Sequence, residues 1–336
     1  YGGLQDNGTY KGSSRNRWQD GPSWSHINGG DGMYVAVDPR DSSTVYTGYQ
    51  FGNYVRLGKG GRNTVRPRNQ LLEDPLRYNW NTPVILSPHH SDVVYFGANK
   101  LFRSMDQGTS WTALSDDLTE SDARGDVPFA TITTVSESKL QFGLIWVGTD
   151  DGEIWVTESA GQSWQDVDQD LPAKRWVSRV EASQFKRERA YISLNGYRND
   201  DIRAYVYRTD DSVKTWIDIC QGVPAEAVHV IREDPVNEQV VYVGTDRGIY
   251  VSLDRGDSWQ ALDSKLPNVA VHDLVIHPRD RELVAGTHGR SAWVVDVLPI
   301  QELTEDVRNS ATHVFYVDDI SASRSWRSRR SPWFYD

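Results

Sequence analysis

Short alternating runs of apolar and polar residues, punctuated by Gly, Asp, Asn and Pro, recur along the whole chain. Alternation with period two predicts half-buried strands. One unit shows the plan. Residues 240–245 read as a strand, 246–248 as a turn and 249–252 as a second strand. A hairpin follows, leading into 258–262, and after Leu266 and Pro267 the run 271–276 opens the next unit. No helical stretch intervenes. Four short antiparallel strands per unit predict a propeller blade.

The second strand of each unit lines up at 45–48, 94–97, 145–148, 190–193, 241–244 and 283–286, a spacing of about 42 to 51 residues. Residues 1–3 read as the same strand of a further unit. First strands precede them at 35–37, at 84–86 and at a run through Ile231, but the first unit lacks one. The chain is therefore expected to be all-β, one propeller of seven four-stranded antiparallel blades over residues 1–303. The last unit is poor in outer strands, and a ring closed by strands from both ends would tolerate that split. Two stretches break the rhythm: 58–77, read as a long loop or degenerate hairpin, and 195–201, read as a lengthened turn. Residues 304–336 are expected to add one strand at 312–317 and a Ser/Arg-rich linker or tail at 321–330.

An octamer marks the units. Ser252, Asp254, Gly256, Ser258 and Trp259 recur as Ser104, Asp106, Gly108, Ser110 and Trp111. The copy at 157–164 keeps Gly161 and Trp164 but has Ser159 for the Asp. The copy at 209–216 keeps Asp211 and Trp216 but has Val213 for the Gly. Each element is a folding device. Glycine supplies a turn residue with positive φ, the Asp and Ser accept and make local hydrogen bonds, and the Trp ring is buried between blades. Copies degraded at Ser159 and Val213 fit a structural role better than a catalytic one. Each loop holds one or two carboxylates, too sparse a set for calcium, so no metal is expected.

The octamer resembles the Asp-box, or bacterial neuraminidase repeat, of sialidases, xyloglucanases and sortilin-type propellers. Longer phrases add to the likeness: residues 3–8, 79–83 with 86–88, 115–119, 148–152 and 286–290. Together they resemble large exported bacterial proteins labelled sortilin-like or glycosyl-hydrolase-like. The resemblance implies a propeller, export to the periplasm, cell surface or medium, and a further N-terminal portion, with other domains or subunits as neighbours. The chain opens mid-pattern at Tyr1, and both its ends are read as cut or processed.

If octamers join third to fourth strands, the turns from second to third strands lie at the opposite end, around the channel mouth. Those turns present Asp6, Asp150, Arg198, Asp246, Arg247, His288 and Arg290. Loops between blades add Asp31, Trp80, Asn81, Arg175 and Trp176. Carboxylates, arginines and aromatics converging on a concave face suit recognition of a glycan or a protein. Many of the Asp residues are also ordinary turn formers. A glycosidase needs two carboxylates about 5 to 10 Å apart. Asp31 is the best candidate, in a position that resembles the Asp-Gly-Gly region of xyloglucanases, with Asp6, Asp150 or Asp246 as partner. A sialidase-like arginine cluster and tyrosine cannot be matched residue by residue.

Composition narrows the classes. The 13 Trp and 16 Tyr against 2 Met describe a core of aromatic and β-branched residues, which suits strands. A net charge of −11 argues against nucleic acid as partner. No apolar run approaches the roughly 20 residues of a membrane span. Cys220 stands alone, so there is no intrachain disulfide. No zinc-helix, nucleophile-elbow or phosphate-loop motif is present, and no cofactor is expected. The favoured expectation is a binding or scaffold propeller. The alternative is a glycoside hydrolase using Asp31 and a second face carboxylate.

Overall fold

The alternating runs become strands wherever one face of the pleat is covered by a neighbouring sheet. The computed structural model describes residues 1–12, 24–69, 71–120, 128–212, 214–262 and 265–317. Blade 1 holds β1 (Gly2–Leu4), β2 (Gly8–Gly12) and β3 (Trp24–Asn28). Blade 2 holds β4 (Ala36–Val37), β5 (Val45–Tyr49), β6 (Asn53–Gly58) and β7 (Gly61–Thr64). Blade 3 follows with β8 (Val84–Leu86), β9 (Val94–Gly97), β10 (Leu101–Ser104) and β11 (Thr112–Ala113). Blade 4 comprises β12 (Ile132–Glu137), β13 (Ile145–Thr149), β14 (Ile154–Thr157) and β15 (Gln165–Asp166). Blade 5 comprises β16 (Trp176–Ala182), β17 (Ala190–Gly196), β18 (Asp201–Thr209) and β19 (Ile217–Asp218). In blade 6 are β20 (Val228–Glu233), β21 (Val241–Thr245), β22 (Ile249–Ser252) and β23 (Gln260–Ala261). Blade 7 ends the series with β24 (Val271–His277), β25 (Glu282–Thr287) and β26 (Ala292–Asp296).

Every sheet is an antiparallel meander in chain order, so the molecule is a seven-bladed propeller with four-stranded antiparallel blades. Among the described residues the first and last blades have three strands each. Two short helices, α1 (Leu298–Gln301) and α2 (Glu305–Asn309), follow. The first of them is docked, because Gln301 donates from Nε2 to Asp234 Oδ2 at 2.9 Å and accepts from Asn237 Nδ2 at 3.1 Å.

First strands line the axis. Arg179 on β16 donates to Asp273 on β24 at 2.8 Å and to the Tyr34 hydroxyl at 3.0 Å. Arg232 on β20 reaches Glu181 at 2.6 Å and Asp273 at 3.3 Å. This ionic brace spans the bore from blade 2 to blade 7. Between blades the core is apolar: Trp146, Ile154, Val177 and Ile192 form one fully buried cluster. Burying such a side chain contributes about 1.5–3 kcal/mol.

The octamers close hairpins between third and fourth strands in blades 3 to 6. Asp254 accepts the Ser258 N–H at 2.8 Å, the Ser258 hydroxyl at 2.6 Å and the Ser252 hydroxyl at 2.7 Å. Ser252 Oγ accepts the Gly256 N–H at 2.7 Å. Asp106 and Asp211 repeat this pattern. Ser159 replaces it with one oxygen, accepting the Ser163 N–H at 3.0 Å. Val213 lies outside the described residues. The glycine has a second reason beyond its positive φ. A methyl group on Gly256 would lie 2.5 Å from Ile219 Cδ1, and one on Gly161 would lie 2.8 Å from Leu114 Cβ, both in the preceding blade. The tryptophan also reaches that blade. Trp164, Trp216 and Trp259 donate their indole N–H to the carbonyls of Leu114, Val167 and Ile219 at 2.6–2.9 Å. Trp111 follows blade 2, which has no octamer, and its N–H is buried without a partner.

Two expectations are settled here. Residues 58–64 form a hairpin, β6 to β7, with no octamer in it. Residues 312–317 form no strand. Val314 is 90% exposed, and the segment is held at Glu302, which accepts from His313 Nε2 at 2.8 Å and from the Tyr316 N–H at 3.1 Å. A strand-like pattern becomes a strand only when it pairs with a sheet edge, and residues 312–317 pair with none of the described strands. Residues 318–336, with the expected Ser/Arg tail, lie outside the described part.

Candidate functional site on the channel face

The channel face is built from turns between second and third strands and from loops entering each first strand. One backbone bond recurs in it. The N–H of Asp150, of Asp246 and of His288 each donates to the carbonyl just before the first strand of its own blade: Thr131, Ala227 and Ala270, at 2.9–3.2 Å. These three positions are equivalent, and their side chains do three different things.

Asp150 is buried. It accepts the Thr131 N–H at 2.7 Å, the Thr131 hydroxyl at 2.6 Å and Asn79 Nδ2 at 3.3 Å. Burial pushes its carboxyl up to about 6. Asp31 is buried too. Its Oδ1 accepts the Asp6 N–H at 2.8 Å and its Oδ2 accepts Gln50 Nε2 at 2.6 Å, so it ties the first turn to blade 2. Asp6 itself is exposed in that turn at φ 61°. A cavity of about 350 Å³ lies nearby, lined by Asn28, Gly29, Gly30, Tyr49 and Arg62. Asn81 accepts the Tyr34 N–H at 3.2 Å. Trp80 is 39% exposed and stands edge-on to Phe51 at 5.3 Å.

Blades 5 to 7 present a different surface. Arg175 pairs with Asp201 at 2.9 Å, fixing the entry to β16. Arg198, in a 3-10 turn at Tyr197–Asn199, lies over the Trp176 ring at 4.1 Å and the Tyr197 ring at 4.4 Å. Tyr197 meets His229 edge-on at 6.3 Å. His229 stacks on His272 at 4.2 Å with 14° between the planes, and His272 meets His288 at 5.4 Å. Asp246 Oδ1 lies 2.8 Å from His229 Nε2. Desolvation, then the neighbouring His229 and His288, hold the His272 imidazole down near 4. Trp176, Arg198, Tyr197 and the three histidines thus form one continuous ledge of flat groups across three blades. Arg247 and Arg290 are exposed in turns beside it.

The sequence reading missed His229 and His272, although a signal was there. Ala-Val-His occurs at 227–229 and again at 270–272. In blades 4 to 7 the first strand opens with a register shift that leaves one bulged residue: Thr133, Ser178, His229 and His272. Thr133 and Ser178 use their hydroxyls to tie the next blade, donating to the carbonyls of Val177 and Val228 at 2.6 and 2.8 Å. The histidines at the same position stack on each other instead. A second group was also missed. Glu153, Asp166 and Asp168 converge at the rim of blade 4, with carboxylate oxygens within 4.8 Å of one another. Burial and mutual repulsion raise Glu153 to about 8 and Asp168 to about 6.

No protein-family model matches the sequence, and no curated protein does. Solved structures do. The fold is similar to a GH74 xyloglucanase from Xanthomonas campestris, at 20% identity and a TM-score of 0.59 over 78% of this chain and 44% of that one. A GH74 enzyme from Niastella koreensis gives 15% identity and a TM-score of 0.59, over 79% and 45%. The extracellular domain described as that of a one-component system from B. thetaiotaomicron gives 12% and 0.52, over 78% and 31%. This chain therefore spans less than half the length of each. At these identities the likeness is one of fold, and the fold shared is the propeller.

Proposed function

We propose that the chain is a binding propeller of an exported or cell-surface protein, taking a glycan or protein ligand on the channel face over blades 5 to 7. The observation that carries this reading is the contrast within the face. Asp31 and Asp150 use both carboxylate oxygens to hold turns, whereas Arg198, Tyr197, His272 and His288 are exposed beside the half-buried Trp176, on a ledge that rests on the buried His229 and its partner Asp246. Flat rings and a guanidinium plane suit stacking against a sugar ring, with Arg247 and Arg290 as hydrogen-bond donors at the margin. The fold itself hosts both binding and catalytic proteins, so the ledge bears the weight of the reading.

The test is a panel of soluble polysaccharides, neutral, uronate-bearing and sialylated, with immobilised peptides as the protein arm, read by calorimetry. Binding lost in both Trp176→Ala and Arg198→Ala, with unfolding unchanged, is the expected result. Binding unaffected by either variant would remove the ledge from consideration. The hydrolase alternative, with Asp31 and Asp6 as its carboxylates, requires Asp31 to free an oxygen from Asp6 or Gln50 in the reaction. Turnover on the same panel that disappears in Asp31→Asn would establish it in place of the binding reading.

A further inference from the structure

Blade 5 carries the longest connection between second and third strands among the described residues. From the paired residues Ser193 and Val206 it runs over 194–205, whereas blade 6 spans only 245–248 between Gly244 and Ile249. The longer excursion is pinned at its base. Asp201 Oδ2 accepts from Arg175 Nη2 at 2.9 Å, from Arg203 Nη2 at 2.8 Å and from the Tyr205 hydroxyl at 2.6 Å. At its tip stands Arg198, exposed to solvent.

The way Arg198 is held sets it apart from the other arginines of the fold. Four of them lie over aromatic rings among the described residues: Arg66 over Tyr78, Arg179 over Tyr34, Arg203 over Tyr205, and Arg198 over both Trp176 and Tyr197. The first three also use their N–H groups. Arg66 donates to Asn53 at 2.8 Å, Arg179 to Asp273 at 2.8 Å, and Arg203 to Asp201 at 2.8 and 2.9 Å. Arg198 rests on its two rings at 4.1 and 4.4 Å and makes no hydrogen bond or ion pair with any described residue. Stacking engages the face of a guanidinium and leaves its edge free. That edge is a rigid fork of N–H donors matched to a carboxylate. Two carboxylates of this region are already engaged, Asp201 by its arginines and Asp246 by His229 at 2.8 Å. Two rings also restrict the side chain before any ligand arrives, which lowers the entropy lost on binding.

We propose that Arg198 recognises a carboxylate carried on a sugar ring, so that the ligand of the ledge is an acidic glycan. The guanidinium edge takes the carboxylate through two N–H donors, and the exposed rings of Tyr197 and His272 offer flat faces to the sugar. This assignment rests on the reading of the ledge as a ligand site and names the ligand class. A neutral glycan would use the rings and leave the fork empty. An acidic peptide would use the fork and leave the rings bare.

Calorimetry with oligogalacturonate, oligomannuronate and sialyllactose, each beside its carboxyl-reduced form, tests the proposal. At least one acid should bind, and its reduced form should bind about tenfold or more weakly. The acid that responds tells a uronate from a sialic carboxylate. Arg198→Gln should bring the acid down to the level of its reduced form while keeping Tm within about 2 °C. Arg198→Lys retains the charge but not the planar fork, and should recover little of the loss. Acid and reduced forms binding equally, with Trp176→Ala still abolishing both, would overturn the carboxylate assignment and leave the ledge as a neutral-glycan site. Binding of no sugar in the set would overturn the glycan assignment. An oligoglutamate peptide that then bound through Arg198 would put an acidic peptide in its place.

Discussion

The octamer end and the channel end of this propeller are built from the same repeat and have diverged in opposite ways. At the octamer end, hairpins in four blades make nearly the same hydrogen bonds, and even the substituted Ser159 keeps its contacts with the Ser163 N–H, the Ser163 hydroxyl and the Thr157 hydroxyl. At the channel end, equivalent backbone positions carry Asp150, Asp246 and His288, and equivalent bulges carry Thr133, Ser178, His229 and His272. Uniformity marks the fastening between blades. Divergence on a shared backbone frame marks the place where side chains are released from structural duty, and in blades 5 to 7 they gather into the ledge.

The strongest test of that contrast is tryptophan truncation at each end. Trp259→Ala removes a buried indole and orphans the Ile219 carbonyl, so it should cost about 3–5 kcal/mol in urea unfolding. Trp111→Ala should cost less, since its ring is half-buried and its N–H has no acceptor. Trp176→Ala should change stability least and be seen in ligand binding. If Trp176→Ala proved as destabilising as Trp259→Ala, the division between the two ends would fail.

A second test uses pH. The folded state holds His272 near 4, below the usual 6.5 of the unfolded chain, so the native state binds fewer protons between those values. Stability should therefore rise as pH increases from 4 to 6.5 and then level off. Desolvation is the main cause of the shift; His229, His288 and Arg198 lower it further and Asp246 opposes them. His272→Phe keeps a stacked ring and should flatten this limb in a Tm-versus-pH series. An unchanged limb would place the proton uptake elsewhere.

The smallest effect belongs to a single octamer carboxylate. Hydrogen bonds from the Ser110 N–H and hydroxyl and from the Ser104 hydroxyl hold Asp106 down near 2, against 3.8 in the unfolded chain. Its contribution is complete above 3.8 and is lost as pH falls through 2. Asp106→Ser, which copies the blade 4 hairpin, should cost about 1 kcal/mol or less at neutral pH. It should also reduce the acid-dependent loss, measured by unfolding between pH 2 and 4.

Much of the architecture was legible because a strand repeat advertises itself twice, through alternation and through the octamer. The second strands at 45–48, 94–97 and 241–244 coincide with β5, β9 and β21 to within a residue. The run at 312–317 misled because β-propensity describes a residue's fit to a pleated surface without saying whether that surface exists. On the channel face the turn residues were found, but their employment was not. Asp31 reads like a catalytic carboxylate in a glycine-rich loop, and only the positions of the Asp6 N–H and Gln50 show both its oxygens engaged.

By itself the sequence determined the blade count, the strand order and the end of the molecule on which the octamers lie. These follow from local periodicity and turn chemistry, which act over a few residues. Which side chains meet across blades was decided only by the tertiary structure. His229 and His272 are 43 positions apart in sequence, yet adjacent blades bring their rings to 4.2 Å. A repeat encodes its own fold locally, but the contacts that distinguish one blade from another are non-local, and ring geometry sets them.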